Sequence, residues 1–287
     1  MRRAGKIALI VIGTLVVLLA VAFGLLQTGF GKRAVLRIVE SELADPPVRL
    51  QARSLEGFVP FELTLNGVVL SDAEGTWLTV DHVTVLWSPL ALFEGKLSIK
   101  EIHAGIVTLV RAPVAPPAAP AKARPRQAEP SLPSLPFAVD LDRLAVDRLD
   151  LASGIIGDAA AFSIGAEARL GDPAAGLQAK LAVTRIDRDR DRASLDLDYR
   201  PAADTLTVDV SAEEPQGGLV THLMGLPGSP KLQVRIQGSG PLSAWQAKGS
   251  ATLDDKPLLD LTASSQGATT ARRVGFDLKL AQIPMLP

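Results

Sequence analysis

The stretch Leu195-Asp196-Leu197-Asp198-Tyr199-Arg200-Pro201-Ala202-Ala203-Asp204-Thr205-Leu206-Thr207-Val208-Asp209-Val210 decides the fold class. Apolar and polar residues alternate on both sides of a proline-containing turn. A period of two puts Leu195, Leu197, Leu206 and Val208 on one face and the Asp and Thr residues on the other, so the stretch reads as a hairpin with one wet face. The rhythm continues outward. Leu232, Val234 and Ile236 make the next strand, Gly238-Ser239-Gly240-Pro241 turns, and Trp245 to Leu253 and Val274 to Leu280 extend the series. A short helix is expected from Gly217 to Met224, stopped by Gly225 and Pro227. Upstream, Val139, Leu141 and Val146 alternate with Asp140, Asp142 and Asp147, which opens a β block over 137–287.

Residues 49–111 form an earlier β block. Phe61, Leu63 and Leu65 alternate with Glu62, Thr64 and Asn66, and Gly67 breaks the pattern as a bulge or turn does. Leu78 and Val80 share one phase; Val83, Val85 and Trp87 take the other, with the switch at Asp81-His82. Ser88-Pro89 reads as the cap and first residue of a short helix that Gly95 ends. Between the blocks, 112–136 holds 8 Pro in 25 residues. Such a stretch favours extended polyproline II and reads as a linker; a proline-rich ligand is the alternative. The count comes to about fourteen strands, at most roughly 65 Å when stacked. The last alternation stops at Met285-Leu286-Pro287, which would leave an open edge. The chain is therefore expected to continue in a longer protein.

The N-terminus carries a different signal. Ile7 to Leu26 is a run of 20 residues without a charge, preceded by Arg2, Arg3 and Lys6. At about 1.5 Å per residue it matches the hydrocarbon thickness of a bilayer. Residues 1–27 are thus expected to be a transmembrane signal-anchor, single-pass, with the basic tail in the cytoplasm and the bulk in the periplasm. Lys32, Arg33 and Arg37 equal the leading charges, so the charge count alone does not fix this orientation. A cleaved signal peptide ending at Ala20-Val21-Ala22 is the alternative; Phe23 to Leu26 prolong the run past that site and favour the anchor. Residues 28–47 read as an amphipathic connector helix, either at the membrane interface or packed on the first strands, with Val35, Ile38, Val39 and Leu43 at helical spacing and Asp45-Pro46-Pro47 as its stop.

Composition narrows the function. Thirty Lys and Arg face 31 Asp and Glu, which removes the basic footprint of bulk nucleic-acid binding. Zero Cys excludes disulfides, thiolate metal sites and thiol catalysis. His82, His103 and His222 show no ligand spacing and are expected to lie apart. Asp187-Arg188-Asp189-Arg190-Asp191-Arg192 imitates a calcium loop, but Arg192 stands where Gly is needed, so it reads as a solvated, self-neutralising turn. No nucleophile and base pair up. The chain is expected to be no enzyme and to need no cofactor or metal; a membrane-anchored hydrolase is set aside on these grounds.

Several stretches together carry a resemblance: Gly67-Val68-Val69-Leu70-Ser71-Asp72, Leu78-Thr79-Val80-Asp81-His82-Val83, Trp87-Ser88-Pro89-Leu90-Ala91-Leu92, Gly95-Lys96-Leu97-Ser98-Ile99, Pro136-Phe137-Ala138-Val139, and Glu214-Pro215-Gln216-Gly217-Gly218 before Leu226-Pro227-Gly228. Their order and spacing resemble the N-terminal part of TamB-type translocation and assembly module subunits, within the AsmA-like envelope proteins. The resemblance implies an inner-membrane anchor and an elongated, curled, antiparallel-rich sheet with an apolar groove (a β-taco) that passes phospholipid outward in outer-membrane biogenesis or assists outer-membrane protein assembly. The lipid-groove candidates are Phe61, Leu63, Leu65, Val83, Val85, Leu195, Leu197, Leu206, Val208, Leu232, Val234 and Ile236. A barrel partner of TamA type is expected only through a C-terminal region absent here. The same alternation also describes a closed β-sandwich, hence a periplasmic scaffold with no lipid conduit.

Overall fold

A computed structural model describes Val21 and residues 23–42, 48–114, 138–171, 176–188, 191–267 and 273–281. Its strands are β1 (Arg49–Gln51), β2 (Ser54–Glu56), β3 (Glu62–Asp72), β4 (Gly75–Ser88), β5 (Lys96–Leu109), β6 (Ala138–Leu151), β7 (Ala160–Leu170), β8 (Leu177–Arg185), β9 (Arg192–Arg200), β10 (Thr205–Glu214), β11 (Leu232–Ser239), β12 (Ala244–Leu253), β13 (Lys256–Gln266) and β14 (Arg273–Leu280). All fourteen belong to one sheet, ordered as in the chain, except that β2 joins β1 alongside β3. Thirteen strands therefore set its length, roughly 58 Å at ~4.8 Å per spacing.

Neighbours are antiparallel except β5 and β6, which run parallel with Leu97 opposite Val139 and Leu109 opposite Leu151. A parallel pair cannot be closed by a tight turn. The chain between them must travel back along a 14-residue strand, about 46 Å at ~3.3 Å per residue, and the proline-rich residues lie in that connection. Most of that stretch falls outside the described residues.

The phase switch in β4 has a structural cause. Asp81 and His82 both have side-chain atoms where a Cβ on Gly105 would sit, at 2.7 Å and 2.4 Å. Adjacent residues of a regular strand point oppositely; here both point to the same side. Val80 and Val83 are thereby returned to the other face together. The Asp81 carboxylate accepts the amide of Ile106 at 2.7 Å, filling the interrupted ladder. Gly67, opposite this level on β3, takes φ +61, as expected of a break at glycine.

Helix α1 (Gly29–Glu42) lies over the first strands. Its Leu36 is buried with Leu55 and Val59, and Leu63 and Leu65 pack against that cluster. Elsewhere the buried apolar side chains of the sheet are mostly alanines, such as Ala104, Ala161, Ala247, Ala251 and Ala263. Apart from Val68 and Leu232, the large aliphatic side chains there stay partly in water. A sandwich core is a layer about 10 Å thick between two sheets. Among the described residues every strand belongs to the single sheet, so the closed-sandwich alternative is overturned.

Helix α2 (Ser153–Ile156) and helix α3 (Leu219–Leu223) are single turns. Pro89–Glu94 is a turn of 3-10 helix ended by Gly95 at φ 71; Ser88 makes no side-chain cap bond, contrary to expectation. Residues 7–20 and 22 of the apolar run lie outside the described residues, and among the described residues no helix is long and apolar enough to cross a membrane.

Candidate functional site

Strand register assembles the site. Leu63 pairs with Val85, Val85 with Ile102, and Ile102 with Leu144. The row continues through Ala166, Leu181, Leu195, Val210, Ile236, Gly249, Leu261 and Leu278. Residues that face each other across a ladder point to the same side. One apolar line therefore crosses all twelve strands from β3 to β14. A second line runs parallel to it from Ala179 through Leu197, Val208, Gly238, Ala247 and Ala263 to Phe276.

The other face reads Thr64, Thr84, His103, Ala145, Gly165, Ala182, Ser194, Ser211, Arg235, Ser250, Asp260 and Lys279 over the same twelve strands. It is laced by ion pairs: Lys96 with Asp140 at 2.7 Å, Lys100 with Asp142 at 3.2 Å, Lys180 with Asp196 at 3.7 Å. Hydrogen bonding from Lys96 holds the Asp140 carboxyl below the usual range. A broad concavity of about 1140 Å³ lies on this face between β6 and β10, among Asp142, Glu167, Lys180, Asp196, Asp198 and Asp209. Leu144, Leu181 and Leu195 of the apolar row also border it, but the charged side chains in its wall must keep their water, so its size does not make it the lipid surface.

Apart from Phe61, the groove candidates fall on the apolar side. Leu63, Leu65, Val83, Val85, Leu195, Leu197, Leu206, Val208, Val234 and Ile236 are all half-buried. Leu232 is buried at one rim, where α3 leans over the sheet and roofs a small apolar cavity of about 140 Å³ with Phe162, Val183 and Ala193. Glu214 holds α3 there, its carboxylate accepting the amides of Val220 and Thr221. Phe61 precedes β3 and stacks on Phe58 with centroids 5.9 Å apart, Phe23 edging onto both rings. Ile102, Leu144, Leu181, Val210, Leu261 and Leu278 complete the row without having been singled out. Val210, Leu181 and Leu278 alternate cleanly within their own strands, whereas Ile102, Leu144 and Leu261 lie on strands with bulges and are placed by the pairing register.

Two expectations change. His82 and His103 are not apart: their rings lie 5.7 Å from each other, with His103 2.9 Å from Asp147. The Asp187–Asp191 turn is not merely solvated. Asp187 and Asp191 clamp the guanidinium of Arg185, at 2.9 Å and 3.1 Å, and that side chain is 1% exposed. Hydrogen bonding from Arg185 lowers the Asp187 pKa to about 2. Among the described residues no His, Asp and Glu cluster could hold a metal ion.

The YdbH-like family, described as that of the intermembrane phospholipid transport protein YdbH, matches residues 15–284. The chain belongs to this family. The YdbH-like match spans both β blocks and the residues between them. It bears out the AsmA-like part of the resemblance and gives no support to TamB in particular. No curated protein and no solved structure matches the chain.

Proposed function

We propose that this YdbH-like protein carries phospholipid between membranes by laying acyl chains along the apolar face of its sheet, without covalent chemistry. The supporting observation is the apolar line that crosses twelve strands with, among the described residues, no second sheet packed on it. Burial of a methylene is worth about 0.8 kcal/mol, so a sixteen-carbon tail gains on the order of 10 kcal/mol against such a surface. Successive rungs offer similar aliphatic surface, so a bound tail meets no deep trap as it shifts from strand to strand. In this reading Ile7 to Leu26 anchors the chain in the inner membrane and the sheet stands in the periplasm. Outer-membrane protein assembly and a TamA-type barrel partner rest on the TamB resemblance alone and form no part of the proposal.

A photocrosslinking residue at Leu195, placed in the full chain in cells, tests the reading. It should capture phospholipid, whereas the same residue at Ser194 should not. Adducts with protein alone at Leu195 would replace transport with a scaffold role.

A further inference from the structure

We propose that the Pro89–Glu94 turn, together with Phe58, is a second membrane contact that sets the first strands of the apolar face on the bilayer surface. The inference rests on the reading of Ile7 to Leu26 as an anchor. Leu90, Leu92 and Phe93 are 64%, 44% and 90% exposed, and Phe58 is 50% exposed. No residue of the turn is buried, so Leu90 and Phe93 keep most of their apolar surface uncovered by the described fold. Gly95 fixes the end of the turn, its amide bonded to the Leu92 carbonyl at 3.0 Å.

The position of the turn identifies its occupant. Phe58 and Phe61 precede β3, and the Trp87 amide at the end of β4 donates to the Phe61 carbonyl at 3.0 Å. The turn begins two residues later, at the same end of the strands. Phe23, inside the apolar run, sits 5.3 Å from Phe58 ring to ring, and Gln27 donates to the Val59 carbonyl. The described end of the apolar run thus meets the sheet beside Phe58 and Val59. Two cations, Lys32 and Arg33, follow the run after five uncharged residues. Aromatic and leucine side chains next to basic ones suit the headgroup boundary of a bilayer. Contact there would bring the beginning of the apolar line, at Leu63 and Val85, close to the source of lipid.

The chain has no Cys, so single cysteines can carry an environment-sensitive fluorophore. Full-length protein with the label at Phe93→Cys, Val16→Cys or Ser250→Cys would be placed in phosphatidylethanolamine–phosphatidylglycerol vesicles with brominated acyl chains. Ser250 is exposed on β12 in the polar row, far from the turn and off the apolar face, and is the control. The label at 93 should lose at least half its fluorescence, that at 16 likewise, and that at 250 little. Quenching at 16 without quenching at 93 overturns this inference and leaves the anchor standing. No quenching at either site overturns both. Equal quenching at 93 and 250, or shielding of 93 from iodide without bromolipid quenching, also overturns it, the latter pointing to a protein cover.

Discussion

Leu181→Asp puts a charge into the middle of the apolar line, and its neighbour Ala182 supplies the control. Leu181 is the sixth of the twelve row positions and is 39% exposed. Ala182 is also exposed but lies in the opposite, polar row. An aspartate at 181 must keep its water, so an acyl chain crossing β8 loses contact over about one strand spacing. That spacing spans about four methylenes, worth ~3 kcal/mol at 0.8 kcal/mol each. At about 1.4 kcal/mol per tenfold, occupancy of that rung falls ~100-fold. The fold should lose only about 1 kcal/mol, because the side chain is already partly in water. The assay is crosslinking to phospholipid in cells from Val85, before the block, and from Leu261, beyond it. With Leu181→Asp, capture at Leu261 should drop steeply and capture at Val85 should persist; with Ala182→Asp both should match the parent. Thermal melts would show both variants folded. Equal lipid capture in the two variants would refute the assignment of the faces.

Arg185→Met leaves Asp187 and Asp191 facing each other without their cation and should cost about 3 kcal/mol in urea unfolding. The folded pKa of Asp187, about 2, lies below that of an unfolded carboxylate, about 3.9. Its contribution to stability is therefore present above pH ~4 and lost as pH falls toward 2, and Asp187→Asn should flatten the acid dependence of the melt in that window. Leu36→Ala opens the cluster under α1 and should cost about 2–3 kcal/mol, read as faster proteolysis around α1 with β12 to β14 unaffected. Gly31→Ala drives a Cβ to 2.2 Å from the Leu25 carbonyl; it should displace the apolar run from Phe58 and Phe61, measured as a change in crosslinking between positions 23 and 58.

The hairpin of β9 and β10 was legible because its alternation is unbroken and its turn is marked by Pro201. Its register, Leu197 opposite Val208, follows from those features alone. The break at Asp81-His82 was legible as a change of phase, but not as a device that keeps Val80 and Val83 on one side. That needs the neighbouring strand, because both side chains occupy the space that a side chain at Gly105 would fill. The parallel join of β5 to β6 was hidden in the same way: alternation says nothing about strand direction, and only the long proline-rich connection leaves room for it. His82 and His103 are 21 positions apart and become neighbours through strand pairing. The clamp on Arg185 escaped notice because a repeated Asp-Arg pattern reads as self-neutralising in sequence, whereas two of its carboxylates serve a buried cation on β8.

The apolar line also bears on how such a sheet persists. A single layer with half-buried leucines and valines forgoes the burial that two-layer domains use against chain entropy. Here three features offset that loss locally: α1 over Leu63 and Leu65, α3 over Leu232, and the ion-pair ladders of the polar face. None of them covers the central rungs from Leu181 to Ile236. Exposed apolar surface on that scale is a liability unless something apolar lies on it, and the missing cover is of the kind a lipid tail supplies. Stability and transport then draw on the same surface: each acyl chain that lodges there should raise the melting temperature of the sheet as well as occupy its path. Delipidated protein that melted at the same temperature as lipid-loaded protein would separate the two and remove lipid as the partner of the face.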